Sequence, residues 1–453
     1  MGVVERMRED WDRRAREDAF YYAGFGRRNQ DEREFFSSAA EVFGAITGEL
    51  VRLPEAPAHS RRALEIGCGP GRLMLPMSTH FGEIHGVDIS EEMAARAREA
   101  LRDVPHAHVH VTPGDGLGMF PAEYFDFIYS YIVFQHIPDP AIVLNYLREA
   151  HRTLKTGGIL CCQLRGAPPL PPEMKRHTPT WTGCSFSAAQ MAAFAREQDF
   201  HLVALSGLDT QYMWTTWLKP APSSPPDLSR TALKAVTAAN GDPRVPARGP
   251  AAAISLWIDG LPQACHLGNL EVAFQPGGAG LLACLLRGCY LSPITESGAC
   301  QLNARLPDGL PSGPVSVALH YDGHPLAEPR TIEILPPPPR SPRVISVTDG
   351  LDIESKNRVV MGGVKVTIED IERPEEVSFT VDGRPAEFGQ HECKDPITST
   401  YEFAFLLSKK TKLGTRSLKV RVSGRELPPV PIEIDGLEPA PILSASPPHS
   451  DSQ

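Results

Sequence analysis

The stretch LEIGCGPGR, residues Leu64–Arg72, decides the fold of this 453-residue chain. The apolar residues at its start predict a short buried strand at Ala63–Gly67, and a helix is predicted around Arg72–His80. Its three glycines therefore stand between a strand and a helix, where their missing side chains let the backbone approach a ligand. The unpaired N–H groups at the amino terminus of the helix favour a polar or anionic group at such a turn.

Strands and helices alternate on the carboxyl-terminal side of this turn. Strands are predicted at Glu83–Asp88, His108–Thr112 and Phe125–Ser130, and the helices between them begin near Ser90 and Pro140. Strands that are separated by helices of about 10–15 residues predict βαβ units and a parallel sheet.

The second part of the chain has a different composition. Of the 44 prolines, 9 fall in residues 1–165 and the other 35 in residues 166–453. Proline removes a backbone donor and is disfavoured in helix interiors, so short strands and turns are predicted there. A weak repeat relates HYDGHPLAEPRTIEI (His320–Ile334) to VSGRELPPVPIEI (Val422–Ile434), and it predicts two β-sandwiches in series.

The proline-rich stretches also predict the boundaries of this second part. Residues 219–250 are predicted to be a linker. The two sandwiches are predicted at 251–335 and 341–436, and the tail 437–453 is predicted to be disordered.

The charge and the cysteine content exclude some classes of function and indicate the cellular compartment. The formal net charge is −10, so nothing in the overall charge attracts nucleic acid. No apolar run approaches the roughly 18 residues of a spanning helix, and the charged amino terminus lacks the apolar region of a signal peptide. Nine cysteines give no even disulfide framework, and their irregular spacing does not predict a metal site. We therefore expect a cytoplasmic protein without a membrane span.

Three acidic residues follow or precede predicted strand ends near the glycine turn. Asp88 ends the second strand, 17 residues after Gly71, where a carboxylate can accept hydrogen bonds from two ribose hydroxyls. Asp115 follows the third strand, in reach of an adenine amino group, and Glu65 comes just before the turn. These positions predict a nucleoside-containing ligand.

The motifs together resemble a known family. The set LEIGCGPGR, HGVDIS, TPGDG, FDFIYSYIVFQHIPDP and LREAHRTLKTGGIL is similar to the class I S-adenosylmethionine-dependent methyltransferases of the type 11/25-like group. The resemblance implies an α/β Rossmann-like domain at 61–218 with a seven-stranded sheet and one antiparallel strand. Residues 1–60 would form a helical cap or lid. The implied cofactor is S-adenosyl-L-methionine, and the implied product is S-adenosyl-L-homocysteine.

The resemblance also implies a set of cofactor-binding residues. The glycines would line the methionine part, Asp88 would bind the ribose, Asp115 would meet the adenine amino group, and Tyr131 would begin the loop that borders the sulfonium. The full set is Glu65, Gly67, Cys68, Gly69, Gly71, Asp88, Ile89, Met93, Asp115, Gly116, Leu117 and Tyr131.

Two other interpretations of the glycine turn compete with this one. A nicotinamide dehydrogenase is expected to carry GxGxxG, whereas this chain has GxGxG with an acid two residues ahead. The other alternative is a glycine turn that packs a helix tightly and binds nothing.

His136 is the candidate catalytic residue. Methyl transfer is an in-line displacement that depends on positioning, and it needs a base only if the acceptor must lose a proton. His136 lies just past the fourth strand, where an acceptor would lie in this family. Its alternative role is to cap the next helix or to hydrogen-bond the loop, and His177 is a weaker candidate.

The acceptor must be recognised by the variable segments. The stretch AFYYAGFG (Ala19–Gly26) predicts a lid, and Gly166–Gly183 with Trp181 predicts a second wall. Trp214 and Trp217 could serve the pocket or simply pack. The expected acceptor is a small molecule or a glycan-like group that is methylated on oxygen or nitrogen.

The two predicted sandwiches resemble immunoglobulin-like domains of the IPT/TIG kind. They could contact a protein partner, a polymeric substrate or a second copy of the chain, and fold alone does not decide between these roles. The alternative for the whole protein is a scaffold whose methyltransferase fold has lost its chemistry and whose sandwiches carry the interaction.

Overall fold

The computed structural model describes residues 2–24, 29–167, 180, 183–222, 225–238, 240–276, 282–284, 290–350, 355–360 and 362–437. They form two compact units. The described residues of the first unit lie within Met1–Gly24, Asp31–Pro169 and Pro179–Pro338, and the strands of the second unit all follow Pro339. The predicted tail, apart from Leu437, lies outside the described residues, as does most of the predicted second wall.

The described helices all lie in the first unit and precede the sandwiches. They are α1 Val3–Gly24, α2 Glu32–Ser37, α3 Ala40–Gly48, α4 Met74–Met77, α5 Glu91–Ala100, α6 Pro140–Thr153 and α7 Ala188–Gln198. Short 3₁₀ turns occur at Glu49–Arg52, Ala58–Ser60, Ser78–His80, Phe134–His136 and Pro374–Glu376.

The strands of the first unit run from the glycine turn to the first sandwich. They are β1 Arg62–Ile66, β2 Glu83–Asp88, β3 Ala107–Val111, β4 Phe125–Ser130, β5 Leu154–Leu164, β6 His201–Ser206, β7 Met213–Leu218, β8 Ala232–Ala238, β9 Arg244–Pro246, β10 Ala253–Asp259, β11 Leu270–Pro276, β12 Leu282–Cys284, β13 Tyr290–Leu291, β14 Cys300–Arg305, β15 Gly313–Tyr321, β16 His324–Pro325 and β17 Arg330–Leu335.

The strands of the second unit are β18 Arg343–Asp349, β19 Arg358–Val359, β20 Gly363–Glu369, β21 Val377–Val381, β22 Arg384–Pro385, β23 Glu387–Asp395, β24 Thr400–Leu406, β25 Gly414–Val422, β26 Arg425–Glu426 and β27 Val430–Ile434.

Local sequence explains where helices α5 and α6 of the α/β half begin. The Ser90 hydroxyl caps α5 by accepting a hydrogen bond from the Met93 N–H at 3.1 Å. Asp139 caps α6 by accepting from the Ala141 N–H at 2.9 Å, with Pro140 in the first turn. These caps fix the helix starts at the carboxyl ends of β2 and β4, which is the edge where ligands of open α/β sheets bind.

The α/β half has the predicted seven-stranded arrangement. The strand order is β3-β2-β1-β4-β5-β7-β6, and β7 runs antiparallel to both of its neighbours. The pairs β1–β2, β1–β4, β2–β3 and β4–β5 are parallel. The α/β Rossmann-like fold class with one antiparallel strand is therefore confirmed.

The sheet does not stop at β6. Tyr290 of β13 pairs with Ala204 of β6, and the sheet continues through β14 and β10 to β8. The prediction of a linker at 219–250 is wrong for the residues of β8 and β9. The reason is visible in β8, where Leu233, Val236 and Ala238 are buried in the core and the strand completes the edge of the sheet.

The first sandwich packs this sheet extension against a second sheet. The second sheet has the order β12-β11-β15-β17-β9, with β16 paired to β15. One hydrophobic cluster runs from the α/β half, for example Leu160, into both sheets of the sandwich, for example Leu256 and Val317. The first sandwich and the α/β half are thus parts of one folded body.

The second unit is also built from two sheets, which agrees with the predicted all-β sandwich. Their orders are β18-β20-β24-β23 and β19-β27-β25-β21-β22, and β26 pairs with β25. Its hydrophobic cluster extends from Val347 to Ile434 and includes Phe403 and Leu418, which are fully buried.

Candidate functional site

A cavity lies at the carboxyl ends of β1, β2 and β4, and helix α1 covers part of it. Its empty space is about 900 Å³, including the part that is open to solvent. The turns that follow the three strands form one side, and Met7, Trp11 and Tyr22 of α1 contribute the other. The cavity therefore lies where the sequence analysis places the ligand.

The glycine turn forms the floor of this cavity. The Gly67 and Cys68 N–H groups donate to the Val87 carbonyl at 2.8 and 3.0 Å, which ties the turn to β2. Gly67 has φ +73°, and a Cβ there would lie 2.2 Å from Cγ2 of Val133. Position 67 therefore requires glycine for both its conformation and its space.

Asp88 ends β2 at the cavity wall and is 9% exposed. One carboxylate oxygen accepts from the Gly69 N–H at 2.9 Å, and the other accepts from the Ser90 N–H at 2.8 Å. Burial raises the pKa of Asp88 to about 6, although these two bonds oppose the shift. An ionised carboxylate keeps lone pairs after two such bonds, so Asp88 can still accept from ligand hydroxyls.

Glu65 lies beside the glycine turn and is almost fully buried. The Tyr129 hydroxyl donates to one of its oxygens at 3.0 Å. Burial raises the pKa of Glu65 to about 8, and the charge of Arg72 counters this only partly. A carboxyl in such a place ionises more readily when a cationic group enters the cavity, so it fits an ammonium or sulfonium group.

Several other predicted cofactor residues line the same cavity. Cys68, Ile89 and Met93 contribute to its wall, and burial raises the pKa of the Cys68 thiol. Tyr131 begins the loop after β4 and stacks on the Trp214 ring, with centroids 5.4 Å apart. The structure thus brings together residues from the first, second and fourth strand ends.

Four predicted residues lie outside the lining of the cavity. Gly71 packs toward Ala97, which would lie 3.4 Å from an added Cβ. The Asp115 side chain is exposed, while its backbone carbonyl accepts from the Asn145 amide at 2.7 Å. Gly116 and Leu117 are buried beside it, and Leu117 belongs to the core cluster. Thr112 and Gly114, which precede this segment, line the cavity instead.

His136 lines the cavity and is 4% exposed. It belongs to the 3₁₀ turn after β4, and its ring meets the Trp11 ring edge-on, with centroids 5.3 Å apart. The Gln135 amide nitrogen lies 3.4 Å from Nε2 of His136. The candidate catalytic residue is therefore at the cavity, while His177 and Trp181 lie outside the described residues.

The lid prediction from Ala19–Gly26 captures only part of the helix that covers the cavity. Tyr22 and Ala23 line the cavity, but Met7 and Trp11 lie further toward the amino terminus. The helix is held in place because the Ser90 hydroxyl donates to an Asp12 carboxylate oxygen at 2.6 Å. The spacing of Met7 and Trp11 by four residues is the signal that would have predicted their shared face.

The described residues contain no group of three His, Cys, Asp or Glu side chains arranged to hold a metal ion. Within the same part of the chain, no helix combines the length and the apolar character needed to cross a membrane.

Comparison with known proteins identifies the domain that carries this cavity. Residues 64–162 match the family model described as "Methyltransferase domain". The chain is 34% identical over 123 residues to a ubiquinone biosynthesis O-methyltransferase of Ruegeria pomeroyi, which is 26% of this chain and 47% of that protein. It is 32% identical over 121 residues to a phosphatidylethanolamine N-methyltransferase of Cereibacter sphaeroides. This region is 26% of this chain and 57% of that protein.

The chain thus spans about half the length of the curated relatives that it matches. A solved structure of geranyl diphosphate C-methyltransferase from Streptomyces coelicolor aligns over 48% of this chain and 98% of that chain. Its TM-score is 0.36 and its sequence identity 13%. The family match confirms the methyltransferase domain that the motifs predict.

Proposed function

We propose that this chain is an S-adenosylmethionine-dependent methyltransferase that acts on an oxygen or nitrogen atom of a small-molecule or glycan-like acceptor. The observation that carries the proposal is the pair of buried carboxyl groups, Glu65 and Asp88, on the two strands that border the glycine turn. Two carboxyl groups with raised pKa values at one cavity fit a ligand that brings both hydroxyl donors and a positive charge.

The residues present fit that cofactor. Asp88 would accept from the ribose hydroxyls, and Ile89 and Met93 would flank the adenine. Glu65 would face the cationic methionine part, which lies against Gly67 and its neighbours in the turn. When bound, S-adenosylmethionine supplies a methyl group that is activated by the attached sulfonium.

The assignment of four residues to cofactor binding has less support because they lie outside the lining of the cavity: Gly71, Asp115, Gly116 and Leu117. The exposed Asp115 carboxylate would have to turn toward the cavity to reach an adenine amino group. Cys68 and Tyr131, in contrast, already line the cavity, and we propose that they contact the cofactor.

We assign the acceptor side of the cavity to the α1 helix and the loop after β4. Trp11, Tyr22 and Tyr131 offer flat apolar surfaces there, and Met7 and Ile137 add to them. His136 lies among these groups and is the residue proposed to contact the acceptor. Its work is to orient the nucleophile for in-line attack, or to take its proton if the acceptor needs to lose one.

The names of the relatives support a small acceptor. They include an O-methyltransferase of ubiquinone biosynthesis, a phosphatidylethanolamine N-methyltransferase and a trans-aconitate 2-methyltransferase. The shared region covers the cofactor half of the domain, so the acceptor itself has to be found by assay.

We further propose a cytoplasmic location and a contact role for the sandwiches. The seven cysteines whose side chains the structure describes are free thiols, which fits a reducing compartment. The net charge of −10 favours neither nucleic acid nor an acidic surface as partner. A protein partner or a second copy of the chain remains the proposed contact of the β-sandwiches.

The experiment is a calorimetric titration of the full chain with S-adenosylhomocysteine, followed by a tritiated-methyl transfer assay on fractionated metabolites and envelope material. We expect binding and label transfer to one fraction. Absence of binding would refute the proposal. Binding without transfer to any fraction would favour the scaffold alternative, in which the fold keeps its ligand and has lost its chemistry.

A further inference from the structure

One stretch of the second unit carries basic residues without acidic ones. From Phe403 to Arg425 the chain has seven lysine and arginine residues and no aspartate or glutamate, although the formal net charge of the whole chain is −10. The stretch includes most of β24, the connecting residues 407–413 and β25. The electrostatic field at this surface follows from its local charges, which the net charge does not describe.

Most basic residues of the second unit pair with a carboxylate. Arg340 pairs with Asp370 at 3.0 Å, and Lys419 of β25 pairs with Glu426 at 3.1 Å. Other lysines and arginines of this unit are paired in the same way. Among the described residues, four exposed basic side chains in or beside residues 407–413 have no such ion pair: Arg384, Lys409, Lys410 and Lys412.

Arg384 joins the three lysines although it is distant from them in sequence. It belongs to β22, and its guanidinium donates to the Lys410 carbonyl at 2.7 Å. We call residues 407–413 together with Arg384 the basic loop. Asp382, two residues before Arg384, is already engaged, because its carboxylate lies 3.4 Å from the Arg416 guanidinium. Four positive charges thus share one small surface, and their mutual repulsion is relieved when anions bind.

Hydrogen bonds to the backbone give the basic loop a defined shape. The Thr411 N–H donates to the Ser408 carbonyl at 2.8 Å. Nε of Arg416 donates to the Lys412 carbonyl at 2.9 Å. A surface that is ordered before it meets a partner loses less conformational entropy when it binds.

The basic loop also exposes an apolar side chain. Leu413 directly follows Lys412 and is 55% exposed, and Leu406, just before the loop, is 44% exposed. Leucine beside lysine fits the boundary of a bilayer, where basic groups meet lipid phosphates and apolar groups enter between the headgroups. Single-stranded nucleic acid is bound largely by aromatic rings that stack on its bases, and residues 406–413 include no aromatic residue.

We propose that the basic loop binds the surface of a bilayer that contains anionic lipids. Its lysines and Arg384 would contact lipid phosphates, and Leu413 would enter the region between the headgroups. Such binding is peripheral and needs no membrane-spanning helix. The inference goes beyond the proposed function, because it concerns the surface to which the second sandwich binds rather than the reaction of the first unit.

The test is sedimentation of the full chain with lipid vesicles. We expect binding to vesicles of phosphatidylcholine and phosphatidylglycerol in equal parts, and little binding to phosphatidylcholine alone. The binding should be weaker at about 0.5 M salt than at about 0.1 M, because salt screens charges at an exposed surface. Equal binding to both kinds of vesicle, or binding to neither, would overturn the proposal.

Two triple variants locate the binding surface, and circular dichroism checks that both are folded. A lysine near an anionic surface contributes about fivefold to the affinity, so the combination of Lys409→Gln, Lys410→Gln and Lys412→Gln should weaken binding about 100-fold. The control makes the same change of charge at residues of the second unit that already pair with carboxylates, and it should keep most of the binding. It combines Arg343→Gln, Lys365→Gln and Arg373→Gln. Equal losses in the two variants would show that binding does not depend on the basic loop.

Two further measurements test the choice of a lipid and the independence from methyl transfer. Leu413→Ser should weaken vesicle binding about fivefold, because less apolar surface leaves water. The affinity for S-adenosylhomocysteine should be the same in all variants, since the first unit is unchanged. A chain that binds anionic vesicles but not S-adenosylhomocysteine would refute the proposed function alone. A chain that binds a single-stranded oligonucleotide but not the vesicles would overturn the assignment of a lipid surface.

Discussion

The two β-sandwiches of this chain are similar in sequence pattern and different in attachment. The first shares a sheet and one hydrophobic cluster with the α/β half, whereas the cluster of the second contains residues from Val347 to Ile434. A domain boundary inferred from repeats alone would separate both sandwiches from the α/β half. A repeated module can therefore be an independent unit in one place and part of another core elsewhere.

Specific contacts hold the first sandwich to the α/β half. The Leu267 N–H donates to the Leu202 carbonyl at 2.8 Å. The His201 and His266 rings stack with centroids 4.5 Å apart, and burial lowers their pKa values to about 4 and about 3. Both imidazoles are therefore neutral near pH 7, as a stacked buried pair requires.

The largest expected effect is that of truncation. A chain that ends at residue 338 keeps the whole first cluster, so it should fold and bind S-adenosylhomocysteine as the full chain does. A chain that ends at residue 220 loses nearly half of that cluster and exposes β6, and we expect it to be unfolded or aggregated. Circular dichroism and calorimetry on the two chains check this. A stable, ligand-binding chain 1–220 would show that the α/β half does not need the first sandwich.

A matched pair of core substitutions tests the difference between the two sandwiches at single residues. Leu256 in the first sandwich and Leu418 in the second are both fully buried. Each change to alanine should cost about 2–5 kcal/mol of unfolding free energy because it leaves a cavity. Leu256→Ala should also destabilise the ligand-binding unit, whereas Leu418→Ala should affect the other one alone. Denaturant titration of each variant measures these effects. If both variants destabilise the ligand-binding unit equally, the two-core description is contradicted.

Much of the fold and part of the site could be predicted from the sequence. The strand at Glu83–Asp88 has its predicted bounds, and Asp88 and Glu65 lie at the cavity. These features could be predicted because each depends on a short local motif at the end of a strand. The β6–β13 pairing could not be predicted, because it joins Ala204 to Tyr290 across a long stretch of sequence with no local signal. The buried Gln163 of β5, whose amide oxygen accepts from the Ile132 N–H at 3.0 Å, could not be predicted either, since a lone glutamine in an apolar strand carries no pattern.

A smaller effect on ligand affinity is expected from substitution of Asp88. We expect Asp88→Asn to weaken S-adenosylhomocysteine binding by about 1.5–3 kcal/mol, because one charged hydrogen bond is lost. The exposed Asp115 provides a matched control, and Asp115→Asn should change the affinity less. Similar losses in both variants would instead support the adenine contact of Asp115.

The pH dependence of the same binding follows from the raised pKa of Asp88. In the folded protein the carboxyl has a pKa of about 6 against an ordinary value of 3.8, so its ionisation destabilises the free protein as the pH rises through this window. A ligand that needs the ionised form of Asp88 should therefore bind more weakly at pH 5 than at pH 7, by about tenfold from Asp88 alone, and Glu65, whose pKa is raised to about 8, should add a loss of the same sign. Calorimetry at the two pH values measures the ratio, and Asp88→Asn should remove the part that Asp88 contributes.

The central claim is that the ligand site and the first sandwich belong to one cooperative unit. Differential scanning calorimetry of the full chain tests it most directly, with Leu256→Ala and Leu418→Ala used to assign the transitions. S-adenosylhomocysteine at about 100 times its Kd should stabilise one transition by about 2.7 kcal/mol. The account predicts that this is the transition that Leu256→Ala lowers and Leu418→Ala leaves unchanged. A ligand-stabilised transition that Leu256→Ala does not lower would contradict it.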